Sequence, residues 1–308
     1  MAYSVWIAGT TTRTVSCALA LLNDPRFEIH LIITPTPKPV GREQQITPNP
    51  LHQFATEHQL PVELVQRKID PQLQEKLQAH ARPDFLLVVD FGYIVPQWLL
   101  DLPIIAPLNV HPSALPAFRG SSPGQFVLAS GLEQSAVTLM VMDAQLDHGP
   151  IVAQFPFSVQ EDWTASDYYH AAFELVGNTL ADSIATFAEK KTSTPQPDVS
   201  PTPVARMLKR DDGFIPWDIL KALRSGNSSP TPLPIHTLLG IDTTPQTVVN
   251  LWRGFHPWPG IWTQCQIGGT QKRVKILACS TSEDRLEITQ IQVEGKTPQP
   301  FSQVQFDS

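Results

Sequence analysis

Four apolar runs recur along the first part of the chain, and each predicts a buried strand. They are SVWIAG at 4–9, IHLII at 29–33, FLLVVD at 85–90 and a fourth run at 104–110. Continuous apolar runs of this length are typical of parallel strands whose two faces are both covered.

Helical patterns separate these runs. An apolar stripe at 12–22 predicts one helix, and further helices are expected near 50–58 and 71–81. Asp70 is suited to cap the last of these helices, and Pro71 suits its first turn. The alternation of strands and helices predicts an α/β fold with a doubly wound, mostly parallel, Rossmann-like sheet.

Two further strands and a long helix complete this pattern. The segments 136–142 and 150–157 are predicted to be paired strands, and a helical pattern covers 164–190. The proline-rich segment 35–50 suits neither a helix nor a central strand. We expect it to be an insertion with a function, as long loops in compact domains usually are.

The chain divides into two predicted domains. The segment 191–203 is polar and rich in proline, as interdomain linkers are. We therefore expect a first domain at 1–190, this linker, and a second domain at 204–308. Short alternating strands favour a small OB-like β-barrel in the second domain. These strands are 261–267, 272–278 and 285–293.

Composition narrows the functional classes. The 308 residues carry a formal net charge of −7, so a general basic surface for nucleic acid is excluded and a polyanion would need a local patch. The N-terminus has no signal-peptide pattern, and no apolar run is long enough to span a membrane. Three widely spaced cysteines fit neither a disulfide framework nor a metal site, so we expect a cytoplasmic protein.

Candidate chemistry lies at the end of the fourth apolar run. Asn109 and His111 are two residues apart, so a strand would point both side chains to the same face. Asp147 lies in a turn between the two predicted paired strands. Each residue also has an ordinary structural use, since Asn bonds its own backbone, His packs and Asp forms turns. Together they are an amide donor, an acid/base and a carboxylate, the set that acyl transfer to an amine requires.

Several dispersed motifs then reveal a resemblance. The chain reads NVHPSALP at 109–116, RGSSP at 119–123 and LDHG at 146–149. In order and spacing these resemble the methionyl-tRNA formyltransferase family, a branch of the enzymes that use 10-formyltetrahydrofolate. Further matches extend the resemblance from residue 5 to about 280. They are IAGT at 7–10, PKPVGR at 37–42, VVDFGYIVP at 88–96 and FHPWPGIWT at 255–263.

The resemblance implies roles for particular residues. It makes Asn109, His111 and Asp147 the catalytic group, with the amide stabilising the oxyanion, the imidazole carrying the proton and the carboxylate orienting the imidazole. It also implies folate contacts and needs no metal. The implied folate contacts are Ser113, Ala114, Leu115 and Pro116.

The expected acceptor is the free amine of initiator methionyl-tRNA, and the enzyme is expected to be a monomer. In the family the insertion after the second strand is basic, whereas here it keeps only Lys38 and Arg42. Besides these two residues, the candidate tRNA contacts therefore include three cations of the second domain, Lys209, Arg210 and Arg253. Few phosphate contacts predict weak, salt-sensitive binding.

Other functions stay open at this point. The depleted basic insertion also suits a formyltransferase that acts on a sugar-nucleotide amine or another small amine. A hydrolase of 10-formyltetrahydrofolate would use the same three groups with water as the attacking species. The chain also departs from the family pattern, with Pro112 for Gly, Ala114 for Leu, His148 for Thr, and TTTRT at 10–14 in the first βα turn.

Overall fold

The structure is a computed structural model that describes residues 2–41, 43–229 and 231–307. The chain folds into two compact units. The first unit runs to Pro116 and then includes Ala136–Phe157 and Tyr169–Val199. The second unit comprises Ala117–Ser135, Ser158–Tyr168 and the residues from Ser200 onward. The units therefore interleave along the chain, and the domain boundaries at 190 and 203 stay a prediction.

The first unit is built on one large sheet. Its strands are β1 (Tyr3–Gly9), β2 (Phe27–Pro35), β3 (Lys38–Val40), β4 (Gln45–Thr47), β5 (Val62–Val65), β6 (Phe85–Val89), β7 (Ala106–His111), β8 (Gln134–Val141) and β9 (Ile151–Ser158). Within the described residues, seven of them form a sheet in the order β5-β2-β1-β6-β7-β8-β9. The first five in that order are parallel, and β8 runs antiparallel to β7.

Helices cover both faces of this sheet. In chain order the helices up to residue 190 are α1 (Thr12–Leu22), α2 (Pro50–Glu57), α3 (Pro71–Ala79), α4 (Gln97–Leu100), α5 (Pro123–Ala129) and α6 (Ala165–Lys190). Helix α5 belongs to the second unit and is not part of this cover. Because side chains alternate across a strand, Val5 and Ile7 pack in a core with α1, α2 and α6, whereas Trp6 and Ala8 pack with α3. The mostly parallel sheet with flanking helices is therefore confirmed.

Local signals in the sequence account for several element ends. Asp70 caps α3 by accepting a hydrogen bond from the Leu73 amide at 2.9 Å. The proline-rich insertion at 35–50 forms the hairpin β3–β4, which pairs Lys38 with Thr47 and lies outside the large sheet. Proline keeps it out of the central ladder because it has no amide hydrogen to donate.

The second unit combines α5 with the later helices α7 (Trp217–Arg224), α8 (Pro234–Leu239) and α9 (Pro245–Phe255), and with the strands β10 (Ile261–Ile267), β11 (Thr270–Ser282), β12 (Arg285–Val293) and β13 (Gln299–Pro300). The strands form an antiparallel sheet in the order β10-β11-β12-β13. The expected strands at 261–267, 272–278 and 285–293 are confirmed as β10, β11 and β12. Among the described residues β10 and β13 do not pair, so the sheet is open and the expected OB-like barrel is not confirmed.

A close approach joins two helices of the second unit. A Cβ atom added at Gly254 in α9 would lie 2.5 Å from the carbonyl oxygen of Gln125 in α5. No larger residue fits there without moving the backbone of α5. None of the described helices is both long and apolar enough to cross a membrane.

Candidate active site

Strand β7 carries Asn109 and His111 in the middle of the first unit's sheet. Asn109 pairs with Val88 of β6 and with Met140 of β8, so its backbone is fixed on both sides. His111 is 4% exposed. The side-chain amide of Asn109 forms no hydrogen bond with any other residue that the structure describes. Its two N–H groups are therefore available to a ligand.

Asp147 approaches His111 from the loop between β8 and β9. Its Oδ2 atom lies 3.6 Å from Nδ1 of His111, and the two side chains are 13% and 5% exposed. This distance is longer than a hydrogen bond, but catalytic contacts often tighten only when substrate binds. The loop leaves β8 beside Pro107, where the Met142 amide donates to the Pro107 carbonyl at 2.9 Å. It must therefore run along β7 for Asp147 to reach His111.

The turn that presents Asp147 has an unusual backbone. Asp147 has φ +49°, in the left-handed region that costs an L-residue energy. A Cβ atom at Gly149 would lie 1.9 Å from the Val141 carbonyl oxygen, so only glycine fits. Gln196 is 8% exposed, and its amide nitrogen donates to the carbonyls of Asp147 at 3.1 Å and Gly149 at 2.7 Å.

The turn that follows His111 is held by a hydroxyl group. Thr138 on β8 is fully buried and donates to the Ser113 carbonyl at 2.7 Å, while it accepts from the Leu115 amide at 3.2 Å. Gln154 on β9 donates to the Leu115 carbonyl at 2.8 Å and to the Thr138 hydroxyl at 3.0 Å. The Thr138 hydroxyl therefore donates one hydrogen bond and accepts two, which is its full hydrogen-bonding capacity.

Burial divides the four residues expected to contact folate. Ser113 is 0% exposed and Leu115 is 2% exposed, so both are buried. Ala114 and Pro116 are half-buried and accessible. Ser113 and Leu115 support the turn, Ala114 and Pro116 are its accessible members, and the four folate contacts stay a prediction.

The candidate tRNA contacts also separate by exposure. Lys38, Lys209 and Arg210 are exposed, and Arg42 lies outside the described residues. Arg253 is buried at 6% exposure. Its guanidinium donates from Nε to the carbonyl of Trp163 at 2.9 Å and from Nη2 to that of Gln160 at 2.6 Å, both within the second unit. It is therefore occupied inside the protein and is removed from the set.

The first βα turn, where TTTRT at 10–14 departs from the family pattern, forms a hydrogen-bond network. Asp90, directly after β6, accepts from the Thr11 hydroxyl at 2.8 Å and pairs with Arg13, and its carbonyl accepts from the Thr10 hydroxyl at 2.7 Å. The Arg13 guanidinium lies 4.2 Å from the centre of the Tyr169 ring. This network lines the ends of β1 and β6, where the strand order reverses and ligands bind in open α/β sheets.

Three supporting residues escaped the sequence analysis. A polar Thr138 between Val137 and Leu139 in a buried strand was an available signal, because a buried hydroxyl needs partners. Gln154 and Gln196 gave no signal, since glutamine is ordinary on surfaces and in loops. Within the described ranges, no three His, Cys, Asp or Glu side chains are grouped as a metal ion would require.

Comparison with known proteins identifies the family. The family model described as formyl transferase matches residues 3–184. The chain belongs to the formyltransferase family. The methionyl-tRNA formyltransferase of Acidobacterium capsulatum is 30% identical over 318 residues, and the alignment covers 96% of this chain and 93% of that protein.

Solved structures of formyltransferases share the fold. The methionyl-tRNA formyltransferase of Clostridium thermocellum has a TM-score of 0.58 at 13% identity, with 94% of this chain and 98% of that chain covered. The N-formyltransferase of Helicobacter canadensis, in complex with folinic acid and dTDP-3-aminofucose, has a TM-score of 0.58 at 16% identity, with 94% and 95% covered. At these identities the likeness concerns the fold alone.

Proposed function

We propose that this formyltransferase transfers the formyl group of 10-formyltetrahydrofolate to the free amine of initiator methionyl-tRNA, as a cytoplasmic monomer in translation initiation. The observation that carries the proposal is the approach of Asp147 to 3.6 Å from His111, with Asn109 two residues away on the same strand. The curated relatives that match nearly the whole chain support the choice of acceptor.

Asn109 is suited to stabilise the negative charge that develops on the formyl oxygen. Its amide is partly accessible, is fixed by a strand paired on both sides, and has no competing partner among the described residues. A preorganised amide donor costs nothing to reorient when the charge develops, which is the basis of oxyanion stabilisation.

His111 and Asp147 are suited to move the proton. The incoming amine nitrogen bonds to the formyl carbon and loses a proton to Nε2 of His111, because Asp147 holds the Nδ1–H side of the ring. The bond between the formyl carbon and the folate nitrogen then breaks, and that nitrogen takes the proton from His111. Electrons and protons balance without an oxidant or reductant.

The folate supplies the formyl group when it binds. The half-buried apolar residues Ala114 and Pro116 follow His111 directly, in a turn whose backbone is fixed by Thr138 and Gln154. A fixed apolar turn beside the catalytic residues fits a flat ring system. Folinic acid in the Helicobacter canadensis structure shows that a relative of this fold accepts a folate.

The tRNA would be held by a small number of cations. Lys209 and Arg210 are adjacent and exposed in the second unit. Lys38 adds an exposed cation on the hairpin of the first unit. With the net charge at −7 and so few cations, binding should be weak, and its salt dependence should reflect only the few phosphate contacts made.

Transfer of labelled formyl distinguishes the candidate reactions. The protein is incubated with labelled 10-formyltetrahydrofolate and, in separate reactions, charged initiator tRNA, amino sugars on a nucleotide carrier, or no acceptor. Label on methionyl-tRNA supports the proposal. Label on the amino sugar alone, or formate released at the same rate without acceptor, would replace it with the sugar or the hydrolase reaction.

A double substitution tests the tRNA contacts. Lys209→Ala with Arg210→Ala should raise the KM for methionyl-tRNA and lower its dependence on salt concentration, because phosphate contacts are lost. The folate KM should not change. The matched control is Lys190→Ala with Lys191→Ala, an exposed basic pair at the end of α6. Equal effects of both pairs on the KM would contradict a specific contact at 209–210.

A further inference from the structure

The backbone of Asp147 is held from outside its own loop. The loop between β8 and β9 is closed by a hydrogen bond from the Val141 amide to the Pro150 carbonyl at 2.9 Å. Inside this closed loop Asp147 adopts φ +49°, and Gly149 packs with no space for a side chain. The left-handed region costs a non-glycine residue energy, although aspartate tolerates it better than most, so contacts that hold the turn favour this conformation.

Gln196 supplies this support from a segment far along the chain. The segment is anchored by a β-bridge in which Thr194 and Ile151 exchange backbone hydrogen bonds of 2.8 Å. Two residues later the Gln196 amide nitrogen donates one hydrogen to the Asp147 carbonyl and the other to the Gly149 carbonyl. A primary amide has two donors, and both carbonyls belong to the turn that presents the carboxylate.

We propose that Gln196 is a positioning residue for the transfer reaction, acting through the Asp147 backbone to keep the Asp147 carboxylate at His111. The inference rests on the proposed function, because it gives Gln196 a role in the proton transfer of His111. The effect of Gln196 passes through two carbonyl groups to a carboxylate 3.6 Å from the imidazole.

The His111 ring reports this positioning directly. A carboxylate at Nδ1 favours the tautomer that has its proton on Nδ1 and leaves Nε2 free to accept the proton of the amine. If Gln196 holds the carboxylate there, its loss should let the other tautomer become populated. A side chain that only stabilised the fold would leave the tautomer of the folded protein unchanged.

The decisive variant is Gln196→Met, which keeps the length of the side chain and removes both donors. We expect kcat to fall about 10–100-fold with little change in the KM for folate. The imidazole nitrogen chemical shifts of His111, measured by NMR on labelled protein, should move toward those of Asp147→Ala. Wild-type kcat and an unchanged His111 spectrum in folded Gln196→Met would overturn the proposal.

Gln154→Met is the matched control. Gln154 also donates from one amide nitrogen to two acceptors, but these are the Leu115 carbonyl and the Thr138 hydroxyl beside the expected folate. Its loss should therefore raise the folate KM and leave the His111 tautomer as in the wild type. A His111 shift of equal size in both variants would mean a general loosening, and the positioning role would be lost.

Two further arms keep the test decisive. If Gln196→Met does not fold, Gln196→Asn replaces it, because it keeps the amide but shortens its reach and should give intermediate values of kcat and tautomer population. Wild-type values of both in Gln196→Asn would then count against the role. The tautomer comparison needs no substrate, so it remains valid even if the protein transfers formyl to none of the acceptors and the proposed function fails.

Discussion

His111 Nδ1 and Asp147 Oδ2 lie 3.6 Å apart, although one residue lies on a strand and the other in a loop. His111 is the last residue of β7, whereas Asp147 comes from a turn after the antiparallel strand β8. The strand fixes the imidazole, and Gln196 supports the turn that bears the carboxylate. Their approach therefore depends on two independent supports.

If His111 and Asp147 act as one unit, their substitutions should not be additive. His111→Ala should lower kcat about 10²–10⁴-fold, as the loss of a general acid–base group typically does. Asp147→Ala should cost less, and the double variant should be close to His111→Ala alone. Single-turnover formyl transfer measures all three. His30→Ala, at an exposed histidine on β2, is the control, and a double variant with fully multiplied losses would contradict coupling.

Asn109→Ala should lower kcat about 10²–10³-fold with little change in either KM, because the oxyanion develops only in the transition state. Asn109→Asp has the same shape but replaces the donor with a negative charge, so it should be at least as slow. Steady-state kinetics with folate and acceptor varied separately provides the measurement. Asn178→Ala on α6 is the matched control. A loss confined to KM would show that Asn109 serves binding instead.

Thr138→Val should destabilise the protein by about 1–3 kcal/mol, because it leaves buried polar partners of the hydroxyl unsatisfied. It should also raise the folate KM, since the turn at 113–116 loses its support. Thr138→Ser keeps the hydroxyl and should retain most of the binding. Urea unfolding compares the stability of the two variants, and folate titration compares their folate binding. A smaller effect for Val than for Ser would show that the methyl group matters more than the hydroxyl.

His236 should make the second unit sensitive to acid. It is fully buried, with Nδ1 at 2.8 Å from the Thr243 hydroxyl, and burial lowers its pKa from 6.5 to about 4. The unfolded chain therefore binds a proton between these values and the folded chain does not, so stability falls as the pH drops through this window. The contribution lost between pH 7.5 and pH 5 is about 2 kcal/mol.

Urea unfolding at the two pH values tests this expectation. The loss of unfolding free energy on acidification should be smaller by about 2 kcal/mol in His236→Gln, which cannot take up the proton. His30→Gln should behave as the wild type because this histidine is exposed. Parallel pH profiles of wild type and His236→Gln would show that another group controls the acid sensitivity.

Local patterns in the sequence predicted the framework of the fold. The apolar stripe at 12–22 became α1, and the alternating run at 261–267 became β10, because periodicity reports which faces are buried. The two-residue spacing of Asn109 and His111 predicted that a strand would point both side chains to one face, and both residues lie on β7. The distance from Asp147 to His111 needed the antiparallel placement of β8, which no local pattern contains.

Long-range contacts explain what the sequence analysis missed. Gln196 lies in a segment with the composition of a linker, yet it is buried against the Asp147 turn. Arg253 has the residue type of a surface cation, yet backbone carbonyls of a distant segment surround it. In both cases the partner lies far along the chain, and composition reports only the average behaviour of a residue type.

The contact between Gly254 and Gln125 limits how this protein can be divided. Helix α5 lies between β7 and β8 in the sequence, but its backbone fits against α9, and Phe126 on α5 is completely buried. A chain truncated after residue 199 would keep α5 and lose α9, leaving an apolar helix without its partner. Chimeras that exchange acceptor specificity between relatives should therefore move 117–135 and 158–168 together with everything from 200 onward.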